Sequence, residues 1–121
     1  MTEYKDMSDQ ELERERLKVA YDRERAWFLA DEWDTVAKEW RSRSYRVAMP
    51  VGVKIRYGVP WDHAEHGLKP AERARLLRAE ADEAKAKASQ YSDKATRLDL
   101  EWETILREQA DRRVSKRLAA S

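Results

Sequence analysis

The residues with the widest chemical reach in this chain are two histidines three apart, His63 and His66, in the stretch WDHAEHG, with Asp62 and Glu65 beside them. Neutral imidazole nitrogens and carboxylate oxygens are zinc ligands. A closed site, however, needs further ligands at a fixed spacing, and the helical zinc-protease pattern needs Glu directly after its first His. Neither is present, so the pair reads as a solvated loop or as a loop in which Asp62 caps a helix, and no metal is expected.

Carboxylates are more numerous: Asp31, Glu32 and Asp34 form one cluster, Glu80, Asp82 and Glu83 another. General acid–base work needs burial or a displaced pKa, and both clusters fall among Lys and Arg on helical surface. With three glycines that form no phosphate cradle, no cysteine nucleophile and no serine in register with a histidine, the chain reads as a non-enzyme with no cofactor and no small-molecule substrate.

Binding chemistry is better represented. Arg41, Arg43, Arg46, Lys54 and Arg56 are interleaved with Trp40, Tyr45, Tyr57 and Trp61, and no acid falls between Trp40 and Trp61. Cations with aromatics between them suit phosphate contact with base stacking, and equally an acidic protein surface. A second candidate is apolar: Leu17, Tyr21 and Phe28 form a stripe more than about 100° around a helix from the main seam, with Trp27 also off that seam. It reads as an oligomer or partner interface.

The elements that must position these residues are mostly helices. Ser8 with Glu11 is a capping box, and Met7 with Leu12 takes the two positions of a hydrophobic staple. From there no Gly or Pro intervenes before Pro50, and Leu12, Val19, Ala26, Leu29, Trp33, Val36 and Trp40 recur at helical spacings. The first helix is expected over 8–44. Pro70 and Glu72 open a second, expected over 70–118, whose Ala74, Leu77, Ala81, Ala84, Ala88, Tyr91, Ala95, Leu98, Trp102 and Ile105 alternate three and four apart.

All three Gly and all three Pro lie between 50 and 70. Met49-Pro50-Val51-Gly52 has turn chemistry, and its flanks alternate, with Tyr45, Val47, Met49, Val53, Ile55 and Tyr57 on one face and Arg46, Lys54 and Arg56 on the other. That pattern predicts a β-hairpin over 45–57 and a loop over 58–69. If the helices fold back antiparallel, partner numbers sum to roughly 117, so that Trp33 meets Ala84, Leu29 meets Ala88 and Ala26 meets Tyr91, large against small. Arg112, Arg113, Lys116 and Arg117 then lie beside Glu3, Asp6, Asp9 and Glu11, and the hairpin docks on the Trp40 and Leu77 end.

The resulting order of helix, β-hairpin and helix resembles that of small phage head-to-tail joining proteins. It is a likeness of topology over a shorter core, without a shared motif, and it implies an assembly role.

Composition sets the frame. The 121 residues carry 40% charged and 41% hydrophobic side chains and no cysteine, a mixture that with helical periodicity suits long helices or coiled coil and a reducing compartment. No apolar run reaches the roughly 18 residues that span a bilayer, and the polar start is unlike a signal peptide, so a cytoplasmic protein without membrane contact is expected. Residues 1–40 hold twelve acids and seven bases, a net of −5, whereas residues 41–60 hold five bases and no acid. The sequence therefore predicts a single, mainly α domain: a long antiparallel helical hairpin with a small β-hairpin at the connection. Its expected function is non-enzymatic, as a homo-oligomeric assembly or adaptor component, or an inhibitor, working through protein contacts. The alternative expectation is nucleic-acid binding by the basic hairpin at 41–57.

Overall fold

A computed structural model describes residues 4–48 and 69–121 of the chain. A 3₁₀ turn, Tyr4–Asp6, leads into α1 (Asp9–Ala48), and α2 runs Pro70–Ala120. Ser8 caps α1 as its sequence requires: its Oγ accepts the Glu11 amide at 3.1 Å. Pro70 opens α2 at the first helical position, where its missing N–H leaves nothing unpaired.

Among the described residues there is no strand. The expected β-hairpin over 45–57 is overturned at its first arm, because Tyr45, Arg46, Val47 and Ala48 are the last residues of α1; residues 49–57 lie outside the described residues. The physical reason lies in the seam. Val47 is three residues beyond Ser44 and seven beyond Trp40, so it completes a helical row, and burial there outweighs the period-2 alternation of Tyr45, Val47 and Met49. With the hairpin goes the basis for likening the chain to phage joining proteins.

Packing divides the chain into two compact units, Met1–Leu29 with Tyr91–Ser121, and Ala30–Gln90. In the first, the terminal unit, α1 and α2 are antiparallel: Asp9 pairs with Arg112, Glu13 with Gln109 and Arg23 with Asp99, so numbers rise on one helix as they fall on the other. Its core is Leu12, Val19 and Ile105, with Tyr4, Met7, Leu98 and Trp102 packed around them. Leu12 and Ile105 share that cluster, while the polar pairs Asp9–Arg112, Glu13–Gln109 and Arg23–Asp99 lie about one turn beyond the expected register.

The second, inner unit is also an antiparallel pair, joined by Lys85 to Asp34 at 2.9 Å and by the Lys87 ammonium 4.3 Å from the centre of the Trp33 ring. Val47, Ala74 and Leu77 form its buried cluster, with Trp40 against them. The contact expected of the hairpin's apolar face is thus made by Val47, from a helix. Ala30, Ala37, Ala81, Ala84 and Ala88 are buried as well. Small side chains there let two helix backbones approach closely, and Trp33 and Trp40 supply bulk beside them.

Candidate functional site

The seam of α1 continues a strict three-four alternation through Arg16, Val19, Arg23, Ala26, Ala30, Trp33, Ala37, Trp40, Ser44 and Val47. Three of these positions are polar, two satisfied within their own helix turn and one across the seam. Ser44 is buried and its hydroxyl donates to the Arg41 carbonyl at 2.6 Å. Arg16 pairs with Glu13 one turn back. Arg23 lays its guanidinium 4.4 Å from the centre of the Trp102 ring while pairing with Asp99. Nothing in residue type alone marks these as seam positions; the continued spacing does.

With the seam fixed, the opposite face of α1 is defined. At about 100° per residue, nine residues are half a turn around the helix. Leu17 is nine from Ala26, Tyr21 nine from Leu12 and Phe28 nine from Val19, and those three partners are all buried. Leu17, Tyr21 and Phe28 are accordingly 56%, 63% and 61% exposed. Glu24 and Arg25, both exposed, fall between Tyr21 and Phe28 on that face, at the third and fourth residues of a seven-residue step. Trp27, expected off the seam and beside this stripe in the same interface, is 42% exposed, and its indole N–H reaches the Asp99 carboxylate at 3.5 Å. It flanks the seam. Leu100, Val114 and Leu118 on α2 are exposed too, which gives the terminal unit most of the molecule's exposed large apolar side chains among the described residues.

The N-terminal turn of the terminal unit is held by one guanidinium. Arg112 donates to the carbonyls of Tyr4 at 3.0 Å and Met7 at 2.7 Å, and to the carboxylates of Asp9 at 2.9 Å and Glu108 at 3.0 Å. Lys116 adds a second cation to Asp9 at 2.6 Å. The neutralisation of basic α2 residues by acidic N-terminal ones is therefore realised through Asp9. These donors hold the Asp9 carboxyl below its ordinary value, Lys116 foremost and then Arg112. Glu13 is pushed down to about 2, first by the Arg16 hydrogen bond and then by Gln109. An open groove of about 410 Å³ lies among these side chains, but Arg16, Arg112 and Lys116 on its wall already face carboxylates.

In the inner unit, Arg41, Arg43, Tyr45 and Arg46 occupy the last two turns of α1. Arg41 stands 4.0 Å from Asp82 and Arg43 lies 5.0 Å from the centre of the Trp40 ring. Tyr45 is 59% exposed. Lys54, Arg56 and Tyr57, with His63 and His66, lie outside the described residues. Among the described residues no three His, Cys, Asp or Glu side chains are grouped as metal ligands, and no helix is long and apolar enough to cross a membrane. No family model matches the chain, and comparison with curated proteins and with solved structures finds no match either.

Proposed function

We propose that this chain is a non-enzymatic assembly protein that self-associates through the outer face of α1. The observation that carries this reading is that the face is self-complementary. Tyr21 and Phe28 lie symmetrically about Glu24 and Arg25. A second copy laid antiparallel about that midpoint sets Tyr21 against Phe28 of the other copy, and Glu24 against its Arg25, each contact occurring twice as a twofold interface requires. Aromatic pairs in such a seat are worth about 0.5–1.5 kcal/mol beyond the area they bury, and the flanking charges select the antiparallel orientation over the parallel one. Scattered single apolar residues on a surface need no such explanation, but an aligned pair bracketing opposite charges does.

The test is a charge exchange. Glu24→Arg alone and Arg25→Glu alone each place like charges across the interface and weaken self-association, whereas the double exchange restores it. Sedimentation of the three variants reads this directly. Equal mass for all four proteins, wild type included, contradicts the antiparallel arrangement.

A further inference from the structure

The inner unit is electrically polarised. Its α1 residues 41–48 carry Arg41, Arg43 and Arg46, and residues 69–78, the start of α2 with the residue before it, carry Lys69, Arg73, Arg75 and Arg78 against the single acid Glu72, for a net of +6. The adjoining residues 30–40 and 79–90 hold seven acids and three bases, a net of −4. The formal charges of 49–68 cancel, Lys54 and Arg56 against Asp62 and Glu65. The basic residues come from segments separated in sequence. Antiparallel pairing brings them together, since Val47 shares a buried cluster with Ala74 and Leu77.

Arg43, Arg46, Lys69, Arg75 and Arg78 are all exposed, and among the described residues none of these five makes an ion pair with a carboxylate. Four of them are guanidiniums, whose planar forks match phosphate oxygens in pairs and keep their charge at any working pH. The only large exposed apolar side chains of the unit among the described residues are Tyr45 and Leu76. A protein partner draws its energy from a desolvated aromatic or aliphatic centre, and a membrane surface from inserted apolar side chains; this end offers little of either. A phosphodiester backbone needs only spaced cations, with Tyr45 as a surface on which a base can stack.

We infer that the end of the inner unit formed by residues 41–48 and 69–78 binds the phosphate backbone of nucleic acid. The contact draws on the end of α1 and the start of α2, with Lys69 just before it, and it is independent of the self-association reading.

The experiment is fluorescence anisotropy of the full chain with a labelled single-stranded oligonucleotide of about 20 nucleotides, repeated with its duplex and with anionic vesicles as competitor. Five phosphates neutralised on a single strand give a log–log salt slope of about −3.5, so affinity falls roughly 100-fold between about 50 and 200 mM salt. The variant Arg46→Glu/Arg75→Glu/Arg78→Glu loses binding by tenfold or more at the lower salt. The control Lys94→Glu/Arg97→Glu/Arg107→Glu makes the same change in net charge at exposed positions of the terminal unit and stays within about threefold. Far-UV circular dichroism checks that both stay helical, and Arg46→Gln/Arg75→Gln/Arg78→Gln gives a milder version of the same loss. Absence of oligonucleotide binding by wild type at low salt overturns the inference. So does equal loss in the two reversal variants, or displacement of the oligonucleotide by vesicles in preference to unlabelled strand.

Discussion

Arg23 offers a contest between two interactions whose sizes can be set against each other. It occupies a seam position of α1, stacks on Trp102 and pairs with Asp99. The carboxylate and guanidinium are each about a third exposed, at 35% and 30%, so the ion pair belongs to the partly solvated class worth about 0.2–1 kcal/mol. The stacked guanidinium has lost water on its ring side, and contacts of that kind range from about 0.5 to about 2 kcal/mol. Stacking therefore dominates. Arg23→Ala destabilises the chain by about 1–3 kcal/mol, and Arg23→Met, which keeps a stem over the ring, recovers part of that through packing. Double-mutant cycles in urea at fixed protein concentration separate the terms. Coupling of Arg23 to Trp102, measured with Trp102→Leu, comes out near 1–2 kcal/mol by the stacking range and survives high salt. Coupling to Asp99, measured with Asp99→Asn, is below about 1 kcal/mol and shrinks as salt screens it. A larger coupling to Asp99 than to Trp102, abolished by salt, would refute this ordering.

Two further outcomes follow from the same contacts. The carboxyls of Glu13, Asp9 and Asp34 all titrate below their ordinary values, through Arg16 and Gln109, Lys116 and Arg112, and Lys85 and Lys38 respectively. Since their folded values lie below their unfolded ones, this stabilisation is complete above the ordinary Glu value of 4.5 and is lost as pH falls toward about 2. Urea midpoints should be level down to about pH 5 and then drop, with a shallower drop in Glu13→Gln; a flat acid profile counts against these pairs. Ser44→Ala removes a seam hydroxyl that bonds only its own helix turn and adds helix propensity, so the thermal midpoint should rise, corresponding to about 0.5 kcal/mol; a fall would mean that the hydroxyl has a role across the seam.

The long helices were legible because burial wrote a period into them. On α2 the expected row from Ala74 to Ile105 is buried or partly buried throughout, and the helix overruns its expected end at 118 by only two residues. On α1 the row faltered at Arg16, Arg23 and Ser44, where a polar residue holds a seam position and finds its partners within a turn or across on Trp102 and Asp99. That hid the continuity through Val47, and turn chemistry at Pro50 and Gly52 then drew a strand back into what is helix. The exposed stripe of Leu17, Tyr21 and Phe28 was readable from angle alone. So was the place of Trp27 off the seam, but not its tie to Asp99, 72 residues away. The basic end was half visible: the run from Arg41 to Arg46 could be read in sequence, but its reinforcement by Lys69, Arg75 and Arg78 exists only once α1 and α2 are paired.

Self-association is tested most directly by sedimentation equilibrium of the wild-type chain over a wide concentration range, beside Phe28→Lys. Phe28 is 61% exposed, and a twofold interface buries two copies of it. At about 1.5–3 kcal/mol for full burial of such a side chain, the substitution removes about 2–4 kcal/mol per dimer, or roughly 30- to 1,000-fold in dissociation constant. Self-association predicts that wild type approaches twice the chain mass of 14.3 kDa at concentrations where Phe28→Lys remains at the single-chain mass. A wild type that stays at the single-chain mass across the whole range would contradict it.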